Sequence, residues 1–101
     1  MLFGEHIKQA REYSYKPPND ITEQIISVDQ LSEVFTTVRG NLPFNEVERR
    51  GGGDQRALKR IESGMVKPED LTIIHFCSAL GYGFYHPLTQ EMLYKSWRAK
   101  H

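Results

Sequence analysis

The 101-residue sequence contains a single cysteine, Cys77, and carries no net charge at pH 7. One cysteine excludes an internal disulfide, which fits the reducing cytoplasm, where we expect the protein to act. No apolar run reaches the roughly 20 residues that a membrane-spanning helix needs, and the N-terminus lacks the layout of a secretory signal. Because the whole chain is not a polycation, nucleic-acid binding would have to come from a local basic patch.

Catalytic motifs are also missing. The sequence has no Ser/His/Asp arrangement and no paired carboxylates, and the run Gly51-Gly52-Gly53 lacks the following Lys-Ser or Lys-Thr of a phosphate-binding loop. His75 and Cys77 are two residues apart, which would place them on different faces of a helix rather than together as metal ligands. We therefore predict neither an enzyme nor a cofactor or metal site.

The composition is that of a folded domain, with 39% apolar and 26% charged residues. Apolar residues recur at helical spacing in several short stretches, which predicts an all-α, compact bundle of four to six short helices. Residues 21–27 favour a helical turn over a short strand. The other stretches expected to be helical are residues 2–13, 28–39, 43–50, 54–63, 68–80 and 88–100.

The chain is organised around residues 43–64, which predict a short helix, a glycine turn and a second short helix. Asp54 follows the glycines, where its carboxylate can accept hydrogen bonds from the free N–H groups of a helix start. Gly64 can take the left-handed conformation that ends a helix. Three glycines exceed what such a turn needs, and Gly53 has no side chain to pack. We therefore expect a loose junction between the two helices.

The second of these helices is predicted to be amphipathic. Ala57, Leu58 and Ile61 would form its narrow buried stripe. Five basic residues and one acid between positions 49 and 60 produce a local net charge of +4. The five are Arg49, Arg50, Arg56, Lys59 and Arg60. Charge runs are usually solvated helix faces, but Gln, Arg and Lys outside an apolar inner face are also the side chains that read a DNA major groove.

A family resemblance adds to this pattern. Ala-Leu-Lys-Arg-Ile-Glu-Ser-Gly at residues 57–64, then Lys67-Pro68, then Ser78-Ala79-Leu80-Gly81 at a helix end resemble the Cro-type, or Xre-type, phage-repressor helix-turn-helix family. The match covers roughly residues 43–81. It implies a lambda-repressor-like helix-turn-helix and sequence-specific binding of double-stranded DNA by a transcriptional regulator, a repressor, acting as a homodimer.

The resemblance also implies roles for particular residues. The recognition helix would be residues 54–63, with base-reading positions at Gln55, Arg56, Lys59 and Arg60. Arg49 and Arg50 complete the expected DNA-binding set, and Asp54 is expected to cap the helix rather than read a base. Glu62 would form a structural pair with an arginine of the family's first helix, which is Arg39 or Arg11.

Two alternatives follow from the sequence. The family's first helix is either residues 3–13, which match better in residue type, or residues 28–39, which match better in distance and are favoured. Residues 1–27 would then be an N-terminal helix and proline-containing extension, and residues 28–101 the helix-turn-helix domain with a C-terminal helix. The alternative function is a protein-interaction module, such as an antitoxin, in which DNA binding is weak or lost.

An aromatic group near the C-terminus also has two interpretations. It could cap the core beneath the last helix, or it could form a dimer surface, since aromatic residues are enriched at the centres of interfaces. Its members are Tyr82, Phe84, Tyr85, Tyr94 and Trp97.

Overall fold

The computed structural model describes residues 20–101, and over these residues it contains six α-helices and no strand. The helices are α1 (Thr22–Ile26), α2 (Leu31–Arg39), α3 (Phe44–Arg49), α4 (Gln55–Glu62), α5 (Asp70–Ala79) and α6 (Pro87–Lys100). The expected all-α bundle is thus confirmed for this part of the chain, whereas the helix expected at residues 2–13 lies outside it. Within the described range, none of the helices is long and apolar enough to cross a membrane.

The core forms where α2, α5 and α6 meet. Phe35 of α2 and Phe76 of α5 are fully buried, and their rings stack with centroids 4.4 Å apart. Around this pair lie Val34, Val38, Ile73, Leu88 and Met92. Helix α2 packs against α4 and α6, and α5 packs against α6. The helical periodicity of residues 28–39 therefore corresponds to a face of α2 that is buried in the core.

The start of α2 differs from its prediction. The helix begins at Leu31, three residues later than expected, and Gln30 occupies the N-cap position without a side-chain hydrogen bond to the first turn. Residues 27–30 instead connect α1 to α2, and the N–H of Val28 donates to the carbonyl of Ile25 at 3.0 Å.

The spacing of apolar residues along α5 does not by itself identify the face that is buried. Leu71 is 64% exposed and Ile74 is only partly buried, while Ile73, Phe76 and Cys77 point into the core. Apolar residues lie nearly all around this helix, so their spacing does not select one face. The side of α5 that becomes buried depends on the packing of α6 against it.

Each glycine of the run after α3 has its own structural requirement, which corrects the expectation of surplus glycines. Gly51 has φ of 86°, a left-handed conformation that ends α3. A Cβ on Gly52 would lie 2.5 Å from Val47 Cγ1 and 2.7 Å from the Cβ of Ala79, so only glycine permits the close approach of this turn to α5. Gly53 has φ of 118°. The junction is tightly packed rather than loose.

A buried lysine of α6 holds helix α1 in place. The Lys95 side chain is 6% exposed, and its Nζ donates to the carbonyl of Ile26 at 2.8 Å and lies 3.4 Å from Glu91 Oε1. This contact satisfies a carbonyl at the end of α1 and joins the helix to α6. Ile25 on the same helix is fully buried. Helix α1 is therefore part of the bundle, although residues 1–27 were expected to form an extension.

Candidate functional site

Helix α4 has a narrow buried face and a broad outward face. Leu58 and Ile61 are buried against the core, whereas the side chains of Arg56, Lys59 and Arg60 are exposed. Ala57 is exposed as well, which corrects its expected place in the buried stripe. Because α2 packs along the side of α4 that carries Leu58 and Glu62, the buried side is turned away from Ala57.

Both ends of α4 are closed by local hydrogen bonds, as expected. Asp54 Oδ1 accepts from the N–H of Arg56 at 2.7 Å, which caps the first turn. At the other end Gly64 has φ of 79° and its N–H donates to the carbonyl of Ile61 at 3.0 Å. The N–H of Met65 donates to the carbonyl of Arg60 at 2.9 Å, which completes a Schellman motif. An eight-residue helix thus begins and ends at defined positions.

Two of the five expected cations are already paired. Arg49 and Arg50 both form ion pairs with Glu46, the latter with Nε 2.9 Å from Oε1. Hydrogen bonds from these two guanidinium groups lower the pKa of Glu46 from 4.5 to about 2. Arg49 remains 70% exposed. The local charge counted from the sequence missed Glu46, because the partner lies three and four residues before the arginines, just outside the basic run.

The outward cations of α4 are less constrained. Over residues 20–101, no acidic side chain pairs with Arg56 or Arg60. The Nζ of Lys59 lies 5.5 Å from the centroid of the Phe44 ring. This ring is at the start of α3, so the contact draws Lys59 towards α3. The exposed surface of α4 consequently carries three positive groups within two helical turns.

A carboxylate that the sequence did not single out lies at the start of α4. Glu48 Oε1 accepts from Gln55 Nε2 at 3.2 Å, and Glu48 Oε2 accepts from the N–H of Gln55 at 3.1 Å. A negative group is favourable near the N-terminus of a helix. The turn between α3 and α4 folds residue 48 back onto residue 55, a proximity that helical spacing alone does not reveal. Glu48 and Asp54 together make this end of α4 acidic.

The other end of α4 is tied to α2 by the predicted glutamate–arginine pair. Arg39 Nε lies 2.7 Å from Glu62 Oε2, and Arg39 Nη2 lies 2.9 Å from Oε1. These hydrogen bonds raise the pKa of Arg39 above its usual value. Thr36 Oγ1 also donates to Glu62 at 2.9 Å. Of the two arginines considered, Arg39 makes this contact, and Arg11 lies outside the described residues.

The C-terminal aromatic group divides between core and surface. Tyr82 is buried, with 3% exposure, and belongs to the core. The other members are exposed, and Tyr94 and Trp97 stack on the surface of α6 with ring centroids 6.1 Å apart. Gln90 Nε2 donates to the carbonyl of Phe84 at 2.7 Å and thereby joins the loop before α6 to this helix.

Cys77 and His75, both on α5, lie on different sides of the helix. Cys77 is fully buried, and burial raises the pKa of its thiol to about 12, so it stays protonated. His75 lies on the exposed surface of the same helix. Among residues 20–101, no three His, Cys, Asp or Glu side chains lie close enough together to hold a metal ion.

Comparison with protein-family models, curated proteins and solved structures found no match. The function is therefore inferred from the side chains that α3 and α4 present.

Proposed function

We propose that the protein is a transcriptional regulator, a repressor, that binds double-stranded DNA sequence-specifically. Helices α3 and α4 and their glycine turn would form a Cro-type helix-turn-helix, with α2 as the family's first helix. The outward face of α4 is the observation that carries the proposal, since Arg56, Lys59 and Arg60 are exposed while Leu58 and Ile61 are buried. A helix with exposed Arg and Lys side chains fits the width and chemistry of a major groove.

In this proposal the start of α4 reads bases. Arg56 can donate two hydrogen bonds to a guanine, and Gln55 can pair with an adenine in the same bidentate way. To do so, the Gln55 side chain has to leave Glu48, because its amide Nε2 donates a hydrogen bond to that carboxylate. Lys59 and Arg60 follow one turn later, at the distance where base edges and phosphates are both accessible.

The edge of the interface would contact phosphates. Arg49 is 70% exposed despite its pairing with Glu46, so its guanidinium group can turn towards a phosphate without opening the fold. Arg50 is closer to the body of the protein, with 21% side-chain exposure. We therefore assign more of the salt-dependent affinity to Arg49 than to Arg50.

Packing around α4 supports the proposal. The cap at Asp54, the Schellman motif at Gly64 and the Arg39–Glu62 ion pair hold the short helix in place before any partner binds. A helix that is already ordered loses little conformational entropy when it docks, so more of its contact energy remains as affinity.

The regulator would act in the cytoplasm as a homodimer. Exposed Tyr94 and Trp97 on α6 offer aromatic surface for a second copy. Two copies related by a two-fold axis would bind a palindromic operator whose half-sites lie about 34 Å apart, one turn of DNA.

The test is selection of duplexes from a random pool, followed by fluorescence anisotropy over a salt series. Arg56→Ala and Arg60→Ala should each weaken binding to the selected duplex about 5- to 100-fold, the range for lost base contacts. Lys100→Ala removes an exposed cation outside α4 and is the matched control, with affinity near that of the unmodified protein. Failure to enrich any duplex, or equal binding by all three variants, would overturn the proposal.

The alternative is a protein-interaction module with this fold and weak or lost DNA binding, such as an antitoxin. The specific observation in its favour is the exposed aromatic group on and before α6, which includes Tyr85 at 88% exposure. Pairing of Arg49 and Arg50 with Glu46 also reduces the positive charge available to DNA. Under this alternative, Arg56→Ala and Arg60→Ala would retain binding to a protein partner, whereas Trp97→Ala would reduce it.

A further inference from the structure

A cavity of about 290 Å³ lies beside the C-terminal end of α4. Leu31 at the start of α2, Ile61 of α4, and Val66 and Pro68 of the loop before α5 form its apolar wall. A second cavity of about 150 Å³ adjoins it, because Asp29 and Ala99 line both. The cavity thus lies at the meeting point of three helices, away from the start of α4 that is proposed to read bases.

The charges around the cavity and the adjoining space leave a small positive excess. Lys67, Ser32 and the carboxylate of Asp29 line the cavity, and Arg98 lines the adjoining space. Lys95 also lines that space, but it is already paired with Glu91 and the carbonyl of Ile26. Lys67 Nζ is 3.4 Å from the carbonyl of Ala99, near the limit for a hydrogen bond, so this ammonium group is only weakly held. An incoming anion could therefore form an ion pair with Lys67 without breaking a strong hydrogen bond.

We propose that this cavity binds a small organic carboxylate with a branched aliphatic body. Lys67 and the Ser32 hydroxyl would donate to the carboxylate, while the aliphatic group would contact Leu31, Ile61 and Val66. At the share of roughly 30 Å³ that a water molecule occupies, the volume corresponds to a ligand of about ten non-hydrogen atoms. Such a ligand is smaller than a typical drug molecule, whose binding pockets usually have larger volumes. The proposal does not depend on DNA binding.

The test is an NMR titration of the isotope-labelled full chain with 4-methylpentanoate. Its uncharged counterpart, 4-methylpentanamide, has the same shape without the negative charge. The carboxylate should shift the backbone amide signals of Leu31, Ser32 and Lys67 saturably, and the amide should bind about two- to fivefold more weakly, as expected for loss of one partly exposed ion pair.

Variants of the lysine sharpen the test. Lys67→Met keeps the apolar stem and should weaken carboxylate binding to the level of the amide, whereas Lys67→Arg should retain it. Lys100→Met is the matched control and should bind as the unmodified protein does, with equal thermal midpoints confirming that all variants fold. Absence of saturable shifts, equal binding of carboxylate and amide, or equal binding by Lys67→Met and Lys100→Met would overturn the proposal.

Discussion

Arg39 and Glu62 form a two-point ion pair that joins α2 to the last residue of α4. The two contacts measure 2.7 Å and 2.9 Å, and the side chains are only 16% and 9% exposed. The guanidinium carbon of Arg39 also lies 3.9 Å from the centroid of the Phe44 ring, at the start of α3. Arg39, the last residue of α2, therefore contacts both α3 and α4, the helices of the candidate DNA-binding face.

Glu62→Ala should lower the free energy of unfolding by about 2–4 kcal/mol, because it leaves a largely buried guanidinium group without its partner. Arg39→Lys should cost less, about 1–2 kcal/mol, since a lysine keeps the charge but cannot make two parallel hydrogen bonds. Urea unfolding measures both. Glu33→Ala, at an exposed position of α2, is the control and should change stability by no more than about 0.5 kcal/mol. Equal stability of Glu62→Ala and Glu33→Ala would contradict this role.

Gly52→Ala should destabilise the protein by about 1–3 kcal/mol, the usual range for added volume at a packed position. The new methyl group would meet Val47 and Ala79 at distances that real Cβ atoms do not adopt. Gly83→Ala is the matched control, because a Cβ there meets nothing within 4 Å. Thermal unfolding should therefore show a lower midpoint for Gly52→Ala and an unchanged or slightly higher one for Gly83→Ala.

Glu46 should contribute to stability in a pH-dependent way. Its pKa is lowered from 4.5 to about 2 in the folded protein, so the contribution is fully present above pH 4.5 and is lost as the pH falls through about 2. Glu46→Gln should therefore be less stable than the unmodified protein at neutral pH, with the difference vanishing in acid. Urea unfolding across this range measures it. High salt should shrink the neutral-pH difference, because Arg49, one of the two partners of Glu46, is 70% exposed. A difference that grows in acid would refute the assignment.

Glu48→Gln should strengthen DNA binding by about two- to fivefold if α4 enters a major groove, because it removes a negative charge near phosphates. A glutamine can still accept a hydrogen bond from Gln55, so the loss of stability should be small. Glu69→Gln, which removes an exposed carboxylate at the start of α5, is the control. Fluorescence anisotropy on the selected duplex measures both variants. An unchanged affinity for Glu48→Gln would argue against placing this end of α4 on DNA.

Local chemistry along the chain was sufficient to predict much of the fold. The spacing of Val34, Phe35 and Val38 identified α2, because one face of a helix must be apolar to be buried. Asp54 and Gly64 marked the ends of α4 through their own backbone and side-chain preferences. Exposure of Arg56, Lys59 and Arg60 also followed from the sequence, since long charged side chains are rarely buried without partners.

Other features depend on contacts between distant parts of the chain. Helix α5 is apolar on nearly every side, so its neighbours select Ile73 and Phe76 for the core and leave Leu71 exposed. The need for glycine at position 52 arises from Ala79, which lies 27 positions later in the sequence. Glu48 reaches Gln55 only because the turn reverses the chain. Propensity and periodicity act over a few residues, whereas these outcomes depend on which surfaces meet after the chain has folded.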